Sequence, residues 1–388
     1  MRNCIAFAIA LFAYVNSIGQ SLLWTSCSVN TDIEYTMKAM SPAKKEICVG
    51  GPSGQLTYRS EPAGLFGGDG TVQLDEYKVS SGGSYLFVYD FDGRLKWNYY
   101  GYQEEDHIKG ICYDYRNRLV GLTYKPMKAK RALGYYDDQD EEEGDDEEEE
   151  DEERYCYTLS FFDDSGDLTN SFCITDLLEV EITDFISHPN GGFILAGHAD
   201  EGRFTNGLNL DAGKGGSDFL VFVDSTGKLI WGDALTYQKE SCCTYSAEPE
   251  VAIDSKGNVL IAGAYVGGAR FGGKEIRLAQ VPYNAPKHYT ATETYVASYS
   301  AEGKFRWVQT SGVLSGYSGL AASNGNVYVA TRIYKRVGVV FGEKADTSDH
   351  QSVFVTILDE NGKVKSNIST GSVGQISITA DLKGNLVV

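Results

Sequence analysis

The chain has 388 residues and a formal net charge of -20, because 54 Asp and Glu residues outnumber 34 Lys and Arg residues. Fifteen of the seventeen residues 137–153 are acidic, which leaves a net charge of only -5 for the rest of the chain. This composition excludes the strongly basic class of nucleic-acid-binding proteins, so we expect no nucleic-acid partner. The acidity is local and needs a local explanation.

Residues 1–19 have the form of a secretory signal peptide. Arg2 precedes an apolar stretch, and the small residues Ser17 and Gly19 occupy the -3 and -1 positions of a cleavage site. No later stretch reaches the roughly 18 consecutive apolar residues that span a bilayer. We therefore expect a secreted protein with no membrane span, in which residues 20–388 form one domain.

A hairpin pattern recurs five times along the chain. Each copy has an alternating apolar strand, a turn rich in Asp, Ser and Gly, and a second strand. A further strand-forming element lies between successive hairpins. The hairpins are 86–97, 159–170, 220–231, 296–307 and 355–366, and the elements between them are 115–124, 189–199, 255–265, 323–333 and 382–388. Four short strands per unit predict an all-β fold whose units are blades of a β-propeller.

Two segments carry a resemblance to a known family. Residues 251–265 (VAIDSKGNVLIAGAY) and 294–309 (TYVASYSAEGKFRWVQ) resemble the SBBP-type β-propeller repeat, in units that cover most of the mature chain. The resemblance implies the fold but no single activity. We expect about six four-stranded blades, or seven. Residues 22–24 are expected to supply an outer strand of the last blade, which is incomplete in this sequence.

An insertion interrupts the second blade. Four blades carry a Phe-containing turn between their second and third strands, at Phe66, Phe204, Phe271 and Phe341. In the second blade the corresponding segment is 125–153, which is first basic and then acidic. Like charges at this density repel one another and cannot form a core, so we expect a disordered loop.

The acidic run suggests weak calcium binding. Carboxylates are hard oxygen ligands suited to Ca²⁺, and a flexible cluster binds several ions weakly instead of one tightly. We therefore expect no tightly bound cofactor. The predicted calcium-attracting residues are Asp137, Asp138, Asp140, Glu141, Glu142, Glu143, Asp145, Asp146, Glu147, Glu148, Glu149, Glu150, Asp151, Glu152 and Glu153. Two alternatives stay open: a solubilising loop without a ligand, and attraction of a basic protein partner.

Covalent features can also be predicted. If 163–166 is a four-residue hairpin turn, the register places Cys156 opposite Cys173, and we predict a disulfide between them. The segment Asn-Ile-Ser at 367–369 predicts glycosylation of Asn367.

No catalytic motif stands out. The five histidines have no metal-ligand spacing, and we interpret each as a surface residue or a satisfied loop residue. There is no GxSxG elbow, phosphate-binding loop or HExxH motif, so we expect no enzyme. A site assembled from different blades in a central channel stays open as a third possibility.

The leading functional prediction is a secreted, non-enzymatic extracellular matrix protein. Its polyanionic loop would attract calcium, or a carbonate or phosphate mineral surface, while the propeller contacts other matrix proteins in biomineralisation. In overall character the chain is similar to the acidic skeletal organic matrix proteins of stony corals. The alternative is an extracellular adhesion or ligand-binding propeller in which the acidic loop only solubilises the protein.

Overall fold

The structure, a computed structural model, describes residues 8–9, 26–27, 37–41, 43–52, 84–90, 94–100, 107–128, 153–204, 217–238, 249–266, 268–277, 292–312, 315–333, 339–344, 353–370, 378–380 and 386–387. Within these ranges the regular structure is entirely β, as predicted. The strands are β1 (Ala8–Ile9), β2 (Ser26–Cys27), β3 (Met37–Ser41), β4 (Glu46–Pro52), β5 (Ser84–Asp90), β6 (Leu95–Tyr100), β7 (His107–Tyr113), β8 (Leu119–Lys128), β9 (Glu153–Phe162), β10 (Leu168–Ser187), β11 (Phe193–Phe204), β12 (Ser217–Val223), β13 (Leu229–Gln238), β14 (Glu250–Ile253), β15 (Val259–Val266), β16 (Gly268–Phe271), β17 (Lys274–Arg277), β18 (Thr292–Tyr299), β19 (Phe305–Thr310), β20 (Ser315–Ser323), β21 (Asn326–Ile333), β22 (Val339–Val340), β23 (Glu343–Lys344), β24 (Val353–Asp359), β25 (Val364–Ser369), β26 (Thr379–Ala380) and β27 (Leu386–Val387). The described residues include no helix long and apolar enough to cross a membrane.

The strands form successive antiparallel four-stranded units. The first unit is β3–β6, the fourth is β14, β15, β18 and β19, and the fifth is β20, β21, β24 and β25. Strand β10 is twenty residues long, so its first half closes the second unit (β7–β10) and its second half opens the third (β10–β13). The second and third units therefore belong to one nine-stranded sheet, whose last two strands are β16 and β17. We call these units the first to fifth sheets.

Each sheet packs face to face on the next. Strand β15 shows the consequence: Ile261 lies in the apolar cluster shared with the third sheet, whereas Leu260 lies in the cluster shared with the fifth. A strand buried on both faces is apolar along most of its length instead of alternating. This explains the run VLIAGAYV in β15.

A tight turn joins the third and fourth strands of each sheet, and the geometry of this turn explains its glycine. In the third sheet, Asp224 Oδ1 accepts hydrogen bonds from the backbone N–H groups of Thr226 at 2.8 Å and Lys228 at 3.0 Å. Gly227 closes the turn with φ +78°, a conformation that glycine adopts without strain. The Asp-x-x-Gly pattern is thus a turn signature.

Tryptophan residues connect consecutive sheets. Trp231 Nε1 donates a hydrogen bond to the carbonyl of Ala301 at 3.0 Å, and its ring lies under the turn glycine Gly303 of the next sheet. Trp307 makes the same contact one sheet later, to the carbonyl of Glu360 at 3.0 Å. The repeated spacing between turn glycine and Trp in these two hairpins therefore corresponds to contacts between sheets.

The Phe-containing turns also connect sheets. Phe271 is fully buried at the turn of the β16–β17 hairpin, and β16 pairs with β13 of the third sheet. Phe341 lies between β22 and β23, and its backbone N–H donates to the carbonyl of Ser311 in the fourth sheet at 2.9 Å. The predicted turns between second and third strands are confirmed at these two positions. Phe204 ends β11, and Phe66 lies outside the described residues.

The insertion in the second sheet does not begin and end where the sequence predicted. Strands β8 and β9 continue pairing as far as Lys128 opposite Glu153. Residues 125–128 are therefore strand and not loop, because backbone pairing at the end of a sheet tolerates the polar side chains there. The remaining 129–152 lie outside the described residues.

The predicted register of the β9–β10 hairpin is wrong. Cys173 lies opposite Thr158, and Cys156 lies opposite Asp176. The turn is one residue longer than assumed, since the N–H of Asp163 bonds the carbonyl of Asp167. Two bulges in β10 then add two more residues to that strand. The disulfide stays a prediction, but it loses the register on which it was based.

Candidate ligand site on the upper face

The first strands of the sheets lie beside one another in chain order. Strands β3, β7, the second half of β10, β14, β20 and β26 each contact the next. They run in the same direction within their sheets, so residues from different sheets meet at the same level. We call the end at which the first strands begin and the second strands end the upper face. The tight Asp and Gly turns lie at the opposite end.

Two carboxylates on the first strands reach across to the following sheet. Asp184 Oδ2 accepts a hydrogen bond from the backbone N–H of Val251 at 2.7 Å. One sheet later, Glu250 Oε2 accepts from the N–H of Leu320 at 3.1 Å and from the hydroxyl of Tyr317 at 2.8 Å. Both carboxylates are half-buried. The arrangement places two acidic groups from adjacent sheets at the same level.

These two carboxylates occupy equivalent positions. Asp184 pairs with Ala196 and Glu250 pairs with Ala262, in each case at the fourth residue of the second strand. In the second sheet the same position is Gly110, which pairs with the fourth residue of β8. In the fifth sheet it is Gly319, which pairs with the fifth residue of β21, a strand that begins one residue earlier. The fold therefore accepts a residue without a side chain at this level.

The two carboxylates interact electrostatically. The pKa of Asp184 is raised to about 7, mainly by burial and in part by the negative charge of Glu250, and the hydrogen bond from Val251 opposes this shift. Burial, followed by the charge of Glu250, also raises the pKa of Tyr317 well above its ordinary value, so this hydroxyl keeps its proton. The site therefore contains one carboxylate hydrogen-bonded by a neutral phenol and one carboxyl group that titrates near neutral pH.

A buried hydroxyl group lies beside this pair. Thr331 pairs with Tyr317 across strands β20 and β21, so the two side chains lie on the same face of the fifth sheet. Thr331 is fully buried, and its Oγ1 has no hydrogen-bond partner among the described residues. Such a group costs about 1–3 kcal/mol unless something bonds it. Like the two carboxylates, the Thr331 hydroxyl is a polar group at this level whose binding partner has to be identified.

A chain of three polar side chains lies between the third and fourth sheets. His198 Nδ1 is 3.3 Å from Asp218 Oδ1, and the hydroxyl of Tyr295 donates to Asp218 Oδ2 at 2.7 Å. Asp218 and Tyr295 are fully buried, whereas the side chain of His198 keeps 18 % of its surface exposed. A buried carboxylate bonded to one imidazole nitrogen fixes the orientation of the ring.

Other buried polar groups lie at the same end of the sheets. The hydroxyl of Tyr265 donates to Glu293 Oε2 at 2.7 Å. Ser315 Oγ accepts from the N–H of Thr294 at 3.0 Å and lies 2.8 Å from Ser311 Oγ. Because these groups bond one another, they are structural. Asp184, Glu250 and His198 differ in that each keeps part of its surface accessible.

The predicted calcium-attracting residues cannot be placed together in this structure. Residues 137–152 lie outside the described part of the chain, and Glu153 is the first residue of β9. Within the described part, no three His, Cys, Asp or Glu side chains are grouped as metal ligands would be. Weak calcium binding by the acidic run stays a prediction.

The other predicted positions have specific environments. Asn367 lies on β25, where its Nδ2 donates to the carbonyl of Val340 at 2.9 Å and its Oδ1 accepts from Thr356 at 2.7 Å. The interpretation of the histidines as satisfied loop residues is confirmed for His188, whose Nε2 is 3.0 Å from the carbonyl of Gly257. It is wrong for His198, which lies within β11.

The sequence did not identify Asp184 or Glu250. Neither belongs to a recognised motif, and 66 residues separate them. One signal was available: when the repeats are aligned on their second strands, both fall at the position that is glycine in Gly110 and Gly319. Carboxylates in two sheets at a position that is glycine in the sheets on either side are a difference between the repeats that an alignment of the sequence could have shown.

Comparisons with known proteins give weak matches only. No protein-family model matches the chain, and no curated protein matches it. An apocarotenoid oxygenase of Synechocystis is 12 % identical, with 90 % of this chain and 64 % of that chain covered and a TM-score of 0.40. A protein of unknown function from Dyadobacter fermentans is 12 % identical, with 90 % and 87 % covered and a TM-score of 0.41. The acylaminoacyl peptidase of Pyrococcus horikoshii is 8 % identical, with 90 % and 49 % covered and a TM-score of 0.35.

The chain thus spans less than two thirds of the length of the oxygenase. The similar structures include an oxygenase, a peptidase and a puromycin hydrolase. No similar protein supports the prediction of a biomineralisation matrix protein, and that prediction is withdrawn. Compositional similarity misled it, because an acidic run is compatible with many functions. At these TM-scores the matches carry no argument about a reaction or a substrate.

Proposed function

We propose that the chain is a secreted β-propeller of about six four-stranded blades that binds a small, positively charged molecule on its upper face without converting it. The observation that carries the proposal is the meeting of Asp184, Glu250 and Tyr317, from three successive first strands, at one level. A ring of sheets with their first strands at the axis brings such residues together around a central channel. The five described four-stranded units support this architecture.

The chemistry of the site favours a cation. Two neighbouring carboxylates repel each other, so a ligand that neutralises both charges stabilises the pair most. An ammonium group supplies a positive charge and three hydrogen-bond donors. An ionised carboxylate can only accept hydrogen bonds, so the two groups are complementary. The buried Thr331 hydroxyl beside Tyr317 provides a further polar atom that a bound molecule could satisfy. These features fit a small organic amine.

Calorimetric titration with a matched pair of compounds tests the proposal. Cyclohexylamine carries the ammonium group and cyclohexanol has the same ring without the charge. We expect the amine to bind and the alcohol to show no saturable heat. The substitution Glu250→Gln is expected to weaken amine binding about tenfold or more, since a charge-assisted hydrogen bond contributes about 1.5–3 kcal/mol.

Glu302→Gln provides the control, because Glu302 lies on an exposed turn at the opposite end of the fourth sheet. It is expected to bind the amine as the unmodified protein does. Equal affinity for amine and alcohol, or equal weakening in both variants, would exclude a carboxylate site for cations at this level. Cleavage or oxidation of the bound compound would show that the protein is an enzyme.

A further inference from the structure

Glu181 and Lys109 form an ion pair near the upper ends of two neighbouring first strands. Glu181 Oε1 lies 3.1 Å from Lys109 Nζ, and the two side chains keep 60 % and 31 % of their surface exposed. Lys109 is the extra residue of a bulge in β7. Because a bulge redirects the side chain of its extra residue, a lysine of the second sheet can reach a carboxylate of the third.

Glu181 lies on the same face of β10 as Asp184. Glu181 pairs with His198 and Asp184 pairs with Ala196, and a bulge at Thr183 absorbs the additional residue between them. Their partners are two apart in β11, and residues two apart in a strand point to the same side. Two steps of about 3.3 Å separate the two acidic residues by about 7 Å along the strand. Since the first strands begin at the upper face, Glu181 is the outer of the two.

The charges at this end of the first strands are unequal. Asp184 and Glu250 form the inner pair of carboxyl groups, Glu181 is the outer carboxylate, and Lys109 is the cation that pairs with it. Above the pKa of Asp184, which is about 7, these four groups carry two more negative charges than positive ones. A single ammonium group leaves one of these charges unbalanced, whereas a ligand with two ammonium groups balances both.

Glu181 can bind a second cation while Lys109 is present. The contact from Lys109 is to Oε1, and an ionised carboxylate accepts hydrogen bonds at both of its oxygens. An ion pair as exposed as this one also contributes little to stability, so Lys109 can move aside at little cost. The outer carboxylate is therefore accessible to a ligand whose first group occupies the inner level.

We infer that the ligand of the proposed site is a linear diamine, with one ammonium group at Asp184 and Glu250 and the other at Glu181. This inference rests on the proposed function, because it assigns the second contact of the same ligand. The two nitrogens of extended 1,4-diaminobutane are about 6 Å apart, close to the spacing of Glu181 and Asp184 along the strand. The buried Thr331 hydroxyl, which has no hydrogen-bond partner among the described residues, offers the inner ammonium group a further acceptor.

Calorimetric titration at pH 8 with three probes of similar length tests the inference. 1,4-Diaminobutane has two ammonium groups, butylamine has one, and 4-aminobutanoate has a carboxylate in place of the second. We expect the diamine to bind about fivefold more tightly than butylamine, the upper value for an exposed ion pair. We expect 4-aminobutanoate to bind most weakly, because its carboxylate would lie beside that of Glu181.

Two variants locate the second contact. Glu181→Gln is expected to remove the advantage of the diamine and to leave the binding of butylamine unchanged. Glu360→Gln is the matched control, because Glu360 also accepts from a lysine, Lys256 at 2.6 Å, but lies in a turn at the opposite end of the sheets. It is expected to keep the advantage. The acidic run 137–153 is identical in all of these proteins, so any heat that it contributes cancels in the comparison.

The two proposals fail differently. If butylamine binds and depends on Glu250, but the diamine binds no more tightly or keeps its advantage in Glu181→Gln, the diamine is excluded and the cation site stands. If 4-aminobutanoate binds more tightly than butylamine and Lys109→Met removes this difference, the second group of the ligand is an anion and the diamine is excluded as well. If no amine binds, both proposals fall.

A series of diamines on the unmodified protein decides if Glu181→Gln does not fold. From 1,2-diaminoethane to 1,6-diaminohexane, the affinity must be highest for 1,4-diaminobutane, because the two carboxylate levels have a fixed spacing. An affinity that is the same for all of them, or that rises steadily with chain length, excludes the contact with Glu181.

Discussion

The substitution Asp184→Asn tests the electrostatics of the candidate site. Burial, together with the charge of Glu250, raises the pKa of Asp184 from 3.8 to about 7 in the folded protein. The unfolded chain keeps the ordinary value, so the folded protein binds more protons than the unfolded chain between these two pH values. The stability contributed by protonated Asp184 is complete below the ordinary pKa and is lost as the pH rises through about 7.

The magnitude follows from the size of this shift. At about 1.4 kcal/mol per pKa unit, it corresponds to an upper bound of about 4 kcal/mol. Asp184 is half-buried, so water screens part of the effect, and we expect the free energy of unfolding to fall by about 1–3 kcal/mol between about pH 5 and pH 8. Asparagine cannot ionise, so this fall disappears in the variant. The variant also loses one acceptor for the N–H groups of Phe185 and Val251, which costs about 1 kcal/mol at low pH.

Urea unfolding of both proteins at several pH values gives the required free energies. The destabilisation caused by Asp184→Asn is expected to shrink, or change sign, as the pH rises. Asp224→Asn is the control, because hydrogen bonds from Thr226 and Lys228 lower the pKa of this turn carboxylate. Asp224 stays ionised over the whole range, so its effect on stability is expected to be constant. A pH-independent effect of Asp184→Asn would refute the reasoning.

Two further predictions concern packing between sheets and the buried hydroxyl of Thr331. Gly303→Ala places a Cβ 2.5 Å from the ring of Trp231 at φ +81°, whereas Gly325→Ala has φ +70° and nothing within 4 Å. Thermal unfolding is expected to show a loss of about 3 kcal/mol for the first and about 1 kcal/mol for the second; equal losses would contradict the contact between sheets. Thr331→Val removes a hydroxyl without a described partner and is expected to be neutral or stabilising. Thr356→Val removes a 2.7 Å hydrogen bond and is expected to cost about 1 kcal/mol. Equal costs for these two valine variants in urea unfolding would show that the Thr331 hydroxyl is already bonded.

The sequence was sufficient for the hairpins but not for their registers. An Asp-x-x-Gly turn is a local structure that its own hydrogen bonds determine, so Gly227 and its equivalents could be identified from the letters alone. A bulge depends on how a strand twists against its neighbours. The two bulges in β10 therefore moved Cys173 away from the predicted partner Cys156.

The candidate site could not be predicted from the sequence, for a different reason. Its contacts join residues that are distant in the chain, such as Asp184 with Val251 and Glu250 with Leu320. Such pairs depend on how one sheet is placed against the next. Composition instead drew attention to the acidic run, whose charge is conspicuous but whose surroundings the described residues do not include.

The repeated architecture supplies its own argument that Asp184 and Glu250 serve a function beyond folding. Gly110 and Gly319 occupy the same level in neighbouring sheets, where a Cβ would lie 3.1 Å from Phe185 and from Ile378 respectively. Those sheets pack closely on the next without any side chain at this position. Burying a carboxyl group there raises the pKa of Asp184 and so reduces stability at neutral pH. A feature that the fold does not require, and that reduces its stability, is the kind that natural proteins retain at binding sites. Removal of these carboxylates should therefore affect ligand binding more than it affects assembly of the sheets.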